Sequence, residues 1–142
     1  MKNFFSVRSY SRNLDILFLL LRLVCGVAFM FHGFGKIQTP MSWMGPDAPV
    51  PGVFQLLAAI SEFGGGLALV LGLLTRLGAF GILCTMIVAV CTHLFVMHDP
   101  FVNQTGGHSY EIAALYLVLA LLFVTAGPGR FSLDRKIFGA KT

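Results

Sequence analysis

Residues 56–76 read LLAAISEFGGGLALVLGLLTR, and this stretch decides how the rest of the chain is read. As a helix rising about 1.5 Å per residue, a run of this length crosses a bilayer core of about 30 Å. Glu62 lies inside it. A charged side chain near the middle of a membrane costs about 2.5–3.5 kcal/mol on insertion scales. Glu62 therefore needs a partner, a proton or a task.

The whole chain agrees with a membrane setting. Its 142 residues are 56% hydrophobic and 11% charged, with a mean hydropathy of +0.82. Soluble domains carry about 25% charged residues, so so few charges cannot cover a water-facing surface. The expected fold is all-α: a polytopic bundle of four transmembrane helices in one domain covering 1–142. The spans fall near 14–34, 53–74, 77–97 and 110–126. The last is short, but it suits a thin or locally adapted bilayer. The first run is too long for a signal-peptide core, and no small-residue cleavage site follows it.

A pI near 9.3 invites a nucleic-acid reading. The basic residues exclude it, because they sit at the ends of apolar runs rather than among aromatics in a patch. Lys2, Arg8, Arg12, Arg76, Arg130, Arg135, Lys136 and Lys141 fall on one side if the spans alternate, and Lys36 falls on the other. The positive-inside rule then places both termini in the cytoplasm of a bacterial inner membrane.

The two outward loops differ. GKIQTPMSWMGPDAPVPG, 35–52, holds four prolines and cannot be helical throughout. It reads as a surface cap with Trp43, Met41 and Met44 at the lipid interface, or more sharply as a lid over a site. HDPFVNQTGGH, 98–108, is polar, with turn chemistry at Gly106 and Gly107. After the fourth span, Gly127 and Pro128 stop the helix, and Ser132 is placed to cap a short helix carrying Arg135 and Lys136. Cys25, Cys84 and Cys91 form no CxxC pair and read as small buried apolar residues.

The ionisable residues within the spans frame a candidate site. Arg22 and Glu62 differ in depth by roughly 6 Å on antiparallel helices, which an Arg side chain can bridge. The economical expectation is a buried Arg22–Glu62 pair, with a proton-relay role open to it. On a helical wheel Arg22, Cys25, Phe29, His32 and Lys36 share a face, as do Glu62, Gly65, Gly66, Leu69 and Arg76. The run Gly64–Gly66 permits close helix approach. It also leaves room for a flat ligand against Gly65, Gly66 and Phe29. His32, Lys36, His93 and Glu111 gather at one depth in the outer half. Taken singly, each histidine reads as an interfacial residue, and His98 is left as one. Taken together, the others suggest a shared cavity.

These residues carry a resemblance. FHGFGK at 31–36, EFGGGLALVLGLLTR at 62–76, His93, GGHSYE at 106–111 and GPGRFSLD at 127–134 resemble the DoxX family of small bacterial membrane proteins. The resemblance spans Arg22 to Asp134. It implies a four-helix membrane bundle and, for some members, a role as a subunit of thiosulfate:quinone oxidoreductases or in quinone and oxidative stress. GGHSYE is two residues longer than the family's GGYE pattern, which unsettles the placement of His108.

Three functions follow as expectations. The first is a quinone-linked oxidoreductase subunit that needs a soluble redox partner. The second is a non-enzymatic carrier or scaffold, which as a pore would require a homo-oligomer. The third is a haem site on His32 and His93, or a metal site on His93, His108 and Glu111. No motif names a cofactor, and no dedicated metal-ligand set is assigned.

Overall fold

The computed structural model describes residues 5–140. Lys2 and Lys141, both counted among the basic topology signals, lie outside the described residues. Four long helices follow in order: α1 (Arg12–Gln38), α2 (Gly52–Leu71), α3 (Thr75–Cys91) and α4 (Glu111–Ala126). A π turn, Thr92–Val96, extends α3, and a short α5 (Leu133–Phe138) closes the chain. Among the described residues three helices are long and apolar enough to cross a membrane, and α4 is a shorter apolar helix of 16 residues. At 1.5 Å per residue α4 is about 24 Å long, which suffices with local thinning. This is a polytopic α-helical membrane bundle.

Each boundary has a local cause. Ser11 caps α1 with its hydroxyl, accepting from the Leu14 amide. Gly72 ends α2 in the left-handed region, where the cap amide meets the carbonyls of Ala68 and Leu69. Pro51 opens α2, where its missing N–H costs nothing.

The main contacts run α1–α2, α2–α3 and α3–α4. Glycines set the distance between helices. A Cβ on Gly26 would lie 2.7 Å from the Gly66 carbonyl, and one on Gly66 would lie 2.7 Å from the Gly26 carbonyl. A Cβ on Gly65 would come within 2.8 Å of the Gly78 carbonyl on α3. Lipid offers no hydrophobic drive for helices to associate, so such backbone approach supplies packing attraction instead. The core holds Phe18, Cys25, Phe29, Leu69, Ile82 and Phe123. Outward side chains such as Val24, Phe31, Val88 and Val118 are more than 60% exposed, which suits lipid contact.

The end of the bundle where Val7 and Gly139 meet is closed by the C-terminal segment. Asp134 accepts from the amides of Leu74 and Thr75, capping α3 across the fold. Asp15 accepts from the Arg130 amide. The Val7 amide donates to Gly139, so the N- and C-terminal segments meet in one short bridge. Ser132 caps α5 as its position suggests.

Arg76 follows the tight turn between α2 and α3 and lies buried in the first turn of α3, near the Thr125 and Ala126 carbonyls. One expectation fails here. Of the three cysteines only Cys25 is buried, whereas Cys84 and Cys91 face outward. The outer face of a membrane helix is apolar as well, so hydrophobicity alone does not separate core from lipid.

Candidate functional site

The partner of Glu62 is Lys36. Its Nζ lies 2.6 Å from Oε1 and 2.7 Å from Oε2. Glu62 is 5% exposed and the Lys36 side chain 25%. The expected Arg22–Glu62 pair does not form. Arg22 points toward the terminal end of the bundle, where Nη1 donates to the Leu69 carbonyl and Nη2 to the Phe131 carbonyl. Arg22 is 1% exposed and holds the C-terminal segment onto α1 and α2. The reason is reach. Both basic side chains are long enough to leave the plane of their own Cα. Arg22 finds the Leu69 carbonyl in the last turn of α2 and the Phe131 carbonyl before α5, and Lys36 finds the carboxylate.

The remaining groups assemble around that pair. Trp43 lies over Lys36, with Nζ 4.5 Å from the ring centroid. Gln55, buried in α2, fixes the loop that carries Trp43. Its side chain accepts from the Met44 amide and donates to the Val50 carbonyl, while its own carbonyl accepts from the Trp43 indole. Of the loop read above as a cap or a lid, the 39–51 segment is thus fastened to α2 with Trp43 over Lys36. Gln55 was missed in the sequence because a lone amide near a helix start carries no motif.

His93 enters from the π turn. Its Nδ1 lies 2.7 Å from the Asp99 carboxylate, which leaves Nε2 as the free nitrogen. His98, at φ +53°, turns the chain back so that Asp99 reaches His93. The His98 side chain is exposed, as its interfacial reading requires. Asp99 was also missed; its only sequence signal is its place before Pro100.

Two cavities meet at these residues. A cavity of about 290 Å³ lies between α1, α3 and α4, against Phe29, His32, Met86, Ala113 and Tyr116. A cavity of about 500 Å³ lies between α2 and α3 beside the 39–51 segment, against Trp43, Phe54, Leu57, Cys84 and Val88. Lys36, Glu62, Ala89 and His93 line both. The Phe29 and Tyr116 rings meet edge-to-face at 4.9 Å and give the smaller cavity an aromatic wall.

Of the expected ligand-binding residues, the structure brings together Lys36, His93, His32 and Phe29, around Glu62 of the expected relay. Gly65 and Gly66 are not among the lining residues; their missing side chains are used up by α3 and α1. Glu111 is exposed at the start of α4 and lines neither cavity. Among the described residues no group of three His, Cys, Asp or Glu side chains is placed to hold a metal ion. The His93–His108–Glu111 set therefore does not assemble.

The DoxX family profile matches residues 17–99. An uncharacterized protein of Haemophilus influenzae is 35% identical over 125 residues, covering 83% of this chain and 88% of its own length. The inner membrane protein YqjF of Escherichia coli is 33% identical, covering 85% and 92%. An uncharacterized membrane protein of Mycobacterium tuberculosis is 32% identical, covering 82% and 78%. No solved structure matches the chain.

Proposed function

The chain belongs to the DoxX family, and from that premise we propose that it is the quinone-binding membrane subunit of an oxidoreductase or redox-stress system in the bacterial inner membrane. The observation that carries the reading is the Lys36–Glu62 pair with His93 on a wall shared by two cavities. Inside an apolar bundle this is the place where a partly polar, lipid-soluble molecule finds donors and a proton acceptor together. A flat ring suits the smaller cavity, against the wall that Phe29 and Tyr116 form together. Lys36 donates to a quinone carbonyl, and so does His93 through Nε2 when protonated. Glu62 exchanges protons with the reduced oxygen. Reduction to the hydroquinone takes two electrons and two protons, and the electrons come from a soluble redox partner. Arg22 has no part in the relay, because it is engaged with Leu69 and Phe131.

A second reading, a non-enzymatic carrier, is favoured by the meeting of two cavities at one ion pair. Proton-dependent solute flux in liposomes would support it.

The test of the quinone reading is ligand-induced stabilisation, since binding to the native state raises Tm by mass action. A tail-less benzoquinone should raise the Tm of the wild type and of His98→Asn, an exchange that tolerates the left-handed backbone. It should stabilise His32→Ala and His93→Ala less. Equal stabilisation of all four proteins would place the site elsewhere.

A further inference from the structure

The larger cavity differs in chemistry from the smaller one. Its charged groups are those of the shared wall, Lys36, Glu62 and His93; the Thr85 and Thr92 hydroxyls in its lining are taken up by the Ile82 and Val88 carbonyls, and Phe54, Leu57 and Val88 supply apolar surface. Those three side chains are 59%, 54% and 64% exposed on the outer flank of α2 and α3. The cavity therefore opens sideways, between two helices, onto the surface that faces acyl chains. Trp43, Met44 and Val50 of the 39–51 segment also line it, and Gln55 fastens that segment to α2.

We propose that the cavity between α2 and α3 is a tail site: it holds the isoprenoid or alkyl chain of an amphiphilic quinone whose ring lies at Lys36, Glu62 and His93. This inference rests on the quinone reading and extends it to the shape of the ligand and its route. A molecule dissolved in the bilayer presents its ring first through the lateral mouth. Its tail need never leave an apolar environment. Lipid chains are as apolar as the cavity wall, so the tail gains little free energy by moving inside. The tail site accordingly governs where the chain lies rather than how tightly the ring binds, and its test must report position.

Trp43 supplies the reporter, being the one tryptophan in the chain and part of the cavity wall. The full-length protein in nanodiscs is titrated with two decyl-benzoquinones that differ only in bromine atoms along the tail. Bromine quenches indole fluorescence only near contact. The brominated tail should quench Trp43 more than the plain one, and the difference should saturate at equimolar ligand. Cys84→Phe places a ring in the cavity from an outward-facing position that no core contact depends on. It should abolish the extra quenching and leave stabilisation by the tail-less benzoquinone unchanged. Equal quenching by both tails overturns the tail site and leaves the ring site standing. So does extra quenching that rises linearly with quinone in the bilayer or survives Cys84→Phe. If the tail-less benzoquinone fails to stabilise the wild type and neither tail gives saturable quenching, the quinone reading falls and the tail site with it.

Discussion

Lys36 on α1 grips both carboxylate oxygens of Glu62 on α2, at 2.6 and 2.7 Å, beneath the ring of Trp43. The pair ties the two helices at the end of the bundle opposite the termini, as Arg22 ties them to the C-terminal segment at the other end. Removing one member leaves the other charged in a low-dielectric site. Lys36→Met and Glu62→Gln should each cost about 3 kcal/mol, the low end for a buried pair because a quarter of the lysine side chain stays exposed. The double variant should lose less than the sum. Unfolding of the three variants in detergent checks this, and strict additivity would deny the contact.

Arg22 and Glu62, by contrast, should behave independently. Arg22→Gln combined with Glu62→Gln should give the sum of the single losses within about 0.5 kcal/mol. Arg22→Lys should fail to restore stability, since one ammonium cannot reproduce the fork that spans the Leu69 and Phe131 carbonyls. Protease cutting between Gly127 and Asp134 should rise in both Arg22 variants. Unchanged cutting would remove Arg22 from its anchoring role.

The glycine run offers an internal control. A Cβ at Gly66 meets the Gly26 carbonyl and the Met30 amide at 2.7 Å, whereas one at Gly64 meets only Ile60 at 3.9 Å. Gly66→Ala should destabilise by about 1–3 kcal/mol through overpacking. Gly64→Ala should be neutral or slightly stabilising, because alanine restricts the unfolded chain. Thermal unfolding of the two variants decides it, and equal Tm values would count against the crossing.

Asp134 caps α3 from the far end of the chain. Asp134→Ala strands the Leu74 and Thr75 amides and should cost about 2 kcal/mol, the upper range for a lost cap. Asp134→Asn keeps one acceptor and should cost less. Equilibrium unfolding ranks the pair; the reverse order would show that the carboxylate is not the cap.

Orientation is open to a direct measurement. Reporter fusions at Pro46 and Gly139 should report opposite sides, with Gly139 cytoplasmic, as the distribution of Lys and Arg requires. Equal locations would overturn an even number of spans.

The sequence by itself determined the class of the molecule and the outline of its helices. Long apolar runs broken by proline, glycine and paired basic residues leave a chain few other ways to satisfy its backbone in lipid. The observed α1, α2 and α3 overlap the expected spans closely, and α4 begins one residue from its expected start. The inward faces of α1 and α2 were legible too, since Arg22, Cys25 and Phe29 are buried together, as are Glu62, Gly65 and Leu69.

What only the tertiary structure decided was which group answers which. Depth along a helix fixes a Cα, but Lys and Arg heads reach several ångströms from it, so Lys36 took the carboxylate that depth alone assigned to Arg22. Gly65 and Gly66 read first as a helix crossing and only second as a ligand slot, and the positions of Gly26, Met30 and Gly78 bear out the crossing. Asp99, Gln55 and Asp134 act across turns and between distant segments, a relationship that no local spacing encodes. Composition and periodicity are set by the solvent each face meets. Pairing is set by the geometry of the assembled bundle, which exists only once the helices have packed.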